Sequence, residues 1–144
     1  VSRVAVDPAG VVGLCADRAL NRFPPWLRQI SEQLLTVDEW TFNILRVAEL
    51  APKTTLTIIG THLFEEHALL ERFRIAPAVL AKFLAAIEQR YNDMPYHNAV
   101  HGADVAQTMH YFLHHGGMDA WLPDVMVLSA LTAALVHDVV RKLV

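Results

Sequence analysis

Apolar residues recur at helical spacing along most of the chain, and proline, glycine and capping residues divide this pattern into five segments. The first is predicted to begin at Asp38, whose carboxylate can cap the free N–H groups of a first turn, and to end before Pro52. Its apolar residues Trp40, Ile44 and Val47 are three or four positions apart. This spacing predicts an amphipathic helix, with Trp40 in the core.

Two further helices are predicted from the residues that follow Pro52. Thr54 is expected to cap the second helix, and Pro77 suits the first turn of the third. The apolar face of the second consists of Leu56, Ile59, Leu63, Leu70 and Phe73. The third carries a stripe of side chains expected in the core, namely Leu80, Phe83, Leu84, Ile87 and Tyr91. A polar loop follows it, because Pro95 disfavours helical geometry at the preceding residue.

The last two helices have the clearest boundaries. Asn98 is expected to cap the fourth, which runs to about His115, where two glycines can adopt the left-handed conformation that closes a helix. Pro123 opens the fifth, and the run Val125–Val136 is apolar on nearly every side, as expected for a helix buried in the centre of a bundle. Its 12 residues are too few to span a bilayer, which needs about 20.

These patterns predict an all-α fold, a multi-helix bundle with at least five helices and short connections. The chain has 144 residues, which is enough for one domain. Residues 1–35 contain five prolines and glycines without a sustained period, so they are predicted to be an irregular leader, with one helical turn near Cys15–Leu20.

Composition excludes several classes of protein. A hydrophobic fraction of 53% with 19% charged residues is too apolar for a disordered chain. A net charge of −3 provides no basic surface for nucleic acid. The single cysteine cannot form a disulfide within the chain and favours a reducing compartment. The apolar run near Cys15 is interrupted at once by charged residues, so no secretory signal is expected, and the cytoplasm is the predicted location.

Histidine is the residue type that points to chemistry, since five of the eight histidines fall between residues 97 and 115. His97 and His101 are four apart and Asp104 follows three later, so a helix would direct all three towards one side. His110 lies nine residues beyond His101, which places it on the opposite face and outside such a site. Asp104 is expected to orient His101 through its second ring nitrogen.

Four other histidines have structural interpretations. His62 and His67 lie among glutamates and are expected to be solvated, and the pair 114–115 is expected to favour the end of a helix through the helix dipole. His137 and Asp138 differ, because they end an apolar run where an uncompensated charge would cost several kcal/mol. A metal ion bound by this pair would offset that cost.

The combination resembles the class I 3′,5′-cyclic nucleotide phosphodiesterases. The resemblance covers about residues 36–138 and is carried by Tyr96-His97-Asn98-x-x-His101-x-x-Asp104-Val105 joined to His137-Asp138. It extends upstream through residues 67–75 and Tyr91. The stretch 107–111, followed by Trp121-Leu122, is most similar to the calmodulin-regulated branch. The string and the His-Asp pair together are far more specific than either alone.

The resemblance implies a role for each matching residue. His97 becomes the general acid that protonates the leaving ribose 3′ oxygen. His101, His137 and Asp138 become ligands of a zinc-like ion, and Asp138 also bridges to a second ion, usually magnesium. Tyr96 and Asn98 would lie at the pocket. The residue types suit this chemistry, because imidazole and carboxylate form a mixed ligand set for zinc, and two adjacent ions generate a hydroxide at neutral pH.

The sequence departs from the family after Asp138. There the family has a further His and then Pro-Gly or Thr-Gly, whereas residues 139–144 are Val-Val-Arg-Lys-Leu-Val. The family's second metal-binding Asp, its purine-gripping Gln and its aromatic clamp have no counterpart in these 144 residues. The resemblance therefore implies that residues 36–144 are the N-terminal part of an all-helical, HD-type metallophosphohydrolase domain, and that this chain alone is inactive.

Alternative functions stay open at this point. The first is hydrolysis of cAMP or cGMP to the 5′ monophosphate in signal transduction, as part of a full-length domain. The second is a non-catalytic helical product that binds partners or metal without turnover. Another phosphohydrolase with a His-Asp pair is disfavoured by Tyr96-His97-Asn98. A homodimer stays open, calmodulin could bind only through regions outside these residues, and neither nucleic acid nor a membrane span is expected.

Overall fold

The computed structural model describes residues 24–139, in which all regular elements are helices. Seven α-helices occur in this range: α1 Pro25–Leu34, α2 Ile44–Leu50, α3 Thr55–Glu66, α4 Leu69–Arg72, α5 Pro77–Glu88, α6 Ala99–His115 and α7 Asp124–Val136. A 3₁₀ turn, Met118–Ala120, lies between α6 and α7. The predicted all-α class is confirmed.

Helix α3 lies at the centre, because it packs against α5 on one side and α6 on another, while α6 packs along α7. Most of the large, fully buried side chains come from these four helices, among them Leu56, Ile58, Ile59, Leu63, Leu84, Leu113, Leu131 and Leu135. Within the described residues, no helix is both long enough and apolar enough to cross a membrane.

Local capping signals predicted three boundaries correctly. The Asn98 side chain accepts hydrogen bonds from the backbone N–H groups of Val100 at 2.9 Å and His101 at 3.1 Å, so it caps α6. Pro77 occupies the first turn of α5. After α6 the left-handed residue is Gly117, with φ of 63°, a conformation that glycine adopts without a steric penalty.

The predicted leader is wrong for the part that the structure describes. Residues 25–34 form α1, with Pro25 at its start and Leu27, Ile30 and Leu34 buried. The prolines Pro24 and Pro25 favour an irregular segment on composition alone, whereas a proline at the first helical position, as Pro25 is, favours helix initiation. The helical turn expected near Cys15–Leu20 lies outside the described residues, and the domain boundary near residue 35 stays a prediction.

The predicted start of the next helix is also wrong. Helix α2 begins at Ile44, and its cap is Asn43, whose side chain accepts from the Arg46 N–H at 3.2 Å. The Asp38 carboxylate instead lies 2.6 Å from Nε2 of His110. The helix predicted after Thr54 is divided in two, because Ala68 adopts a left-handed conformation with φ of 53° and separates α3 from α4.

Three expectations about burial are wrong. Trp40 is 63% exposed and Phe83 is 40% exposed, so neither belongs to the core. Only one side of α7 is buried, and Val125 and Met126 on the other side are 55% and 52% exposed. Because α7 is apolar on nearly every side, its periodicity alone could not show which side packs against α6.

A buried carboxylate joins α5 to the beginning of α3. Glu88 accepts hydrogen bonds from the backbone N–H groups of Leu56 and Thr57, at 3.0 and 3.1 Å, and from the Thr57 hydroxyl at 2.6 Å. Burial raises the pKa of Glu88, and these hydrogen bonds lower it in part. The first N–H groups of a helix have no partner within that helix, so Glu88 satisfies two of them from another element.

Glu65 makes a testable contribution to pH dependence. Burial raises its pKa from 4.5 to about 7, so the folded state favours the neutral form, and the free energy of unfolding decreases as the pH rises from 4.5 to 7. Glu65→Gln is therefore expected to raise the free energy of unfolding by about 1 kcal/mol above pH 7, after allowance for solvent screening, and to leave it unchanged at pH 4. Urea titrations at both pH values measure this. Glu66→Gln, at the exposed neighbour, should show no such difference; equal effects of the two variants would contradict the assignment.

Candidate metal centre

The candidate site lies where the first turn of α6 meets the end of α7. His101 lies in that first turn, and His97 and Tyr96 come just before the Asn98 cap. His137 and Asp138 follow α7 directly. Because α6 and α7 pack along each other, residues about 40 positions apart in sequence come into contact.

Three side chains form a nearly equilateral triangle of ligand atoms. Nε2 of His101 lies 3.3 Å from Nε2 of His137, and Oδ2 of Asp138 lies 3.3 Å from the His137 nitrogen and 3.5 Å from the His101 nitrogen. Tetrahedral ligands at the usual zinc distances of about 2.0–2.1 Å are about 3.3 Å apart. The three atoms therefore fit one face of a tetrahedral site, and the structure brings the three predicted ligands together.

His97 joins the cluster in a different way. Its Nδ1 lies 2.6 Å from Oδ2 of Asp138, a short hydrogen bond in which the carboxylate accepts. The potential donor atoms of His97, His101 and Asp138 all lie within 4.8 Å of one another. However, two atoms 2.6 Å apart are too close to ligate the same ion in tetrahedral or octahedral geometry. His97 therefore has a different role from His101 and His137: it forms a hydrogen bond to Asp138 and does not share an ion with it through these two atoms.

A hydrogen bond to the backbone fixes the ring of His137. Its Nδ1 lies 2.8 Å from the carbonyl oxygen of Ala134, to which it donates. In the neutral ring this leaves Nε2 unprotonated, and Nε2 is the atom that faces His101 and Asp138. Apart from the helical spacing of three residues, no pattern along the chain indicates this bond, which leaves Nε2 of His137 available to ligate a cation.

The Asp138 carboxylate is the charged centre of the cluster. Its hydrogen bond from His97 lowers its pKa, desolvation raises it, and electrostatic interaction with the neighbouring rings of His137, His97 and His101 lowers it further. The net shift is downward, so the carboxylate is ionised at neutral pH. An ionised carboxylate next to an imidazole with a free lone pair is a donor set that suits a divalent cation.

The remaining predicted site residues differ in position. The ring of Tyr96 packs against His101 and His97, with centroid distances of 4.6 and 5.0 Å, and is 65% exposed at the edge of the cluster. Asn98 acts through the backbone, since it caps α6 and its amide donates to the Met94 carbonyl at 2.9 Å. Asp104 does not pair with His101: within residues 24–139 the structure has no hydrogen bond between them.

A second histidine group includes His110 in the second half of α6, and His110 lies outside the candidate metal site, as predicted. This residue is fully buried between Asp38 and His67, with Nε2 2.6 Å from the carboxylate and Nδ1 2.9 Å from Nε2 of His67. His62 and His67 are half-buried, and desolvation lowers the pKa of both, so their predicted solvation is wrong. Asp38, His67 and His110 are far apart in the sequence, so the spacing of residues along the chain could not predict this group.

His114 and His115 were expected to favour the end of α6, and both lie in its last turn. His115 Nε2 also lies 2.6 Å from the backbone carbonyl of Asp38, which ties this turn to the loop before α2. A cleft of about 160 Å³ between α4 and the start of α7 is lined in part by His67, Arg72 and Asp124, and lies apart from the triangle of ligand atoms.

Comparison with known proteins finds similarity to one enzyme family. Residues 96–141 match the family model for 3′5′-cyclic nucleotide phosphodiesterase. The chain is 37% identical over 123 residues to a dual specificity calcium/calmodulin-dependent 3′,5′-cyclic nucleotide phosphodiesterase 1 of Drosophila melanogaster. It is 34% identical over 118 residues to the human dual specificity calcium/calmodulin-dependent 3′,5′-cyclic nucleotide phosphodiesterase 1C.

These matches cover 83% and 81% of this chain, but only 14% and 16% of the respective relatives. The chain therefore spans about one seventh of the length of the curated relatives. The matched family segment contains the string from Tyr96 to Asp104 and the pair His137-Asp138. Tyr96, His97 and His101 from this string form the cluster described above together with His137 and Asp138.

Proposed function

Because the chain belongs to the 3′,5′-cyclic nucleotide phosphodiesterase family, we propose that it contributes the first metal site and the general acid of a domain that hydrolyses cyclic nucleotides to 5′ monophosphates. One observation carries the proposal. The triangle formed by His101, His137 and Asp138 has the edge lengths of a metal site, and His97 lies beside it with one ring nitrogen directed to Asp138.

The residues of this chain would bind the ion and move one proton. His101, His137 and Asp138 would hold a zinc-like ion, and Asp138 would also face a second ion, usually magnesium. Bound ions of this kind supply a hydroxide nucleophile at neutral pH and neutralise charge on the phosphate. Nδ1 of His97 donates to Asp138, so Nε2 is the ring nitrogen left to deliver a proton to the leaving 3′ oxygen.

Other residues would shape the site without taking part in the chemistry. Tyr96, exposed against the rings of His97 and His101, would form one wall for the substrate. Asn98 holds the backbone that carries both histidines, since it caps the first turn of α6. The substrate would be cAMP or cGMP, in a cytoplasmic signalling role.

A chimaera tests this proposal. The segment that matches the Drosophila relative, 83% of this chain, would replace the corresponding segment of that enzyme, and hydrolysis of cAMP and cGMP would be measured. We expect turnover, and we expect His97→Asn in the chimaera to retain its metal content but lose about 10²–10⁴ in turnover, the usual contribution of one general acid. Metal content by mass spectrometry or atomic absorption separates the two effects.

The non-catalytic alternative makes a different prediction for the same chimaera. A folded chimaera that binds metal without hydrolysing either nucleotide would contradict the proposal and favour a helical product that binds partners or metal alone. His114→Ala is a suitable control, because His114 lies on α6 far from the triangle and is half exposed. It should leave both metal content and turnover unchanged.

A further inference from the structure

Tyr91, which lies just after α5, contacts both helices that carry the candidate ligands. Its side chain is buried, and its hydroxyl donates a hydrogen bond of 3.0 Å to the backbone carbonyl of Leu135. Leu135 is in the last turn of α7, two residues before His137. The tyrosine therefore reaches the backbone that leads directly into the ligand pair.

The Leu135 carbonyl needs such a partner. The last four carbonyl groups of a helix have no intrahelical N–H, and here the N–H of Val139 bonds to Val136 rather than to Leu135. A buried carbonyl without a donor is costly, so the Tyr91 hydroxyl stabilises the end of α7 at this position. The N–H of Asp138 lies close to the same hydroxyl and partly offsets the rise in the Tyr91 pKa that burial causes.

The hydroxyl end of Tyr91 also lies against α6. Gly102 directly follows His101, and a Cβ atom added to Gly102 would be 2.5 Å from the Tyr91 hydroxyl oxygen and 2.8 Å from the adjacent ring carbon. The hydroxyl end of the ring is thus packed onto the α6 backbone where a side chain would otherwise stand. One residue therefore touches the backbone beside His101 and the backbone before His137.

We propose that Tyr91 is a positioning residue for the candidate metal centre: it holds the end of α7 against the first turn of α6, so that His137 and Asp138 stay at ligand distance from His101. This inference rests on the proposed function for its metal-binding consequence. Its structural part, the connection between α5, α6 and α7, stands on the contacts alone. Bonds that orient ligands from outside the metal shell typically change metal affinity by 10- to 100-fold.

Tyr91→Phe tests the inference, because it removes only the hydroxyl and keeps the ring. Tyr111→Phe is the matched control, since Tyr111 lies near the far end of α6 against Trp40 and His115. In metal-free protein, we expect Tyr91→Phe to increase amide hydrogen exchange about 5- to 10-fold in residues 135–139 and to leave exchange in α3 unchanged. Tyr111→Phe should leave both regions unchanged.

The second measurement uses cobalt(II) as a spectroscopic probe of the site. We expect Tyr91→Phe to bind cobalt about tenfold more weakly than the parent chain and to shift the visible absorption bands, whereas Tyr111→Phe should do neither. Denaturation midpoints are measured for both variants, because a merely structural role would change stability without changing the spectrum of the folded, metal-loaded protein.

The outcomes separate the two proposals. Unchanged exchange in residues 135–139, or a uniform increase along the whole chain, would overturn the positioning role whatever the metal result. Equal cobalt affinity and identical spectra for parent and Tyr91→Phe would also overturn it. If the parent chain bound no cobalt, the metal site of the proposed function would fail, and a local increase in exchange would still support the role of Tyr91 in holding α7.

Discussion

Asp138→Asn is expected to weaken zinc binding by this chain by more than about 100-fold. The carboxylate is the only anion among the three triangle ligands, and its Oδ2 lies within 3.5 Å of both candidate nitrogen ligands. The amide keeps the shape of the side chain but removes the charge and places two donor hydrogens at one end. Isothermal calorimetry with zinc, for both proteins at the same pH, measures the change.

His101→Ala should have a comparable effect, because it removes a corner of the same triangle. His114→Ala is the control on the same helix and should bind zinc as the parent does. With three protein ligands one coordination position stays open, so we expect the parent to bind zinc more weakly than a four-ligand structural site does. If His114→Ala lost as much affinity as His101→Ala, the ion would not be bound at the triangle.

Glu88→Ala is expected to lower the free energy of unfolding by about 3 kcal/mol, the largest effect on stability that we predict for a single residue. The substitution removes three hydrogen bonds to a buried carboxylate and leaves the N–H groups of Leu56 and Thr57 without partners at the beginning of α3. This loss is a large fraction of the stability of a typical domain. Urea titration followed by circular dichroism measures it.

Glu71→Ala provides the comparison, because Glu71 is an exposed glutamate on the short helix α4. Its effect should stay within about 0.5 kcal/mol. Glu88→Gln should be intermediate, since an amide oxygen can still accept from some of the same donors. Equal stabilities of Glu88→Ala and Glu71→Ala would show that the beginning of α3 does not depend on the buried carboxylate.

The features that were predicted correctly from the sequence depend on residues that are close together along the chain. Asn98 and Pro77 act within the first turn of their own helices, so their roles follow from chemistry that is local in the chain. The closeness of His97 to His101 does not follow from helical spacing, because His97 precedes the Asn98 cap and lies outside α6. For the ligand pair after α7, the polar end of an apolar run was the only local signal, and the family resemblance supplied the rest.

The errors concern residues whose partners are far away in the chain. Asp38 has the chemistry of a helix cap, but its carboxylate faces His110, 72 positions later. Glu88 and Tyr91 act across gaps of 31 to 44 positions, and no local pattern indicates those contacts. Trp40 is apolar at helical spacing, yet it packs by its edge on Tyr111 and Phe112 and stays largely exposed.

The close pairing of α6 with α7 has a consequence for the order of folding. His101 and His137 are separated by 36 residues, most of them in the two helices and the short turn between them. Closing a loop of that length costs only about 3 kcal/mol of chain entropy. Because a chain emerges from the ribosome amino terminus first, α3 and α5 are available before α7 is complete. The ligand triangle can therefore assemble on a preformed surface once Asp138 has emerged from the ribosome.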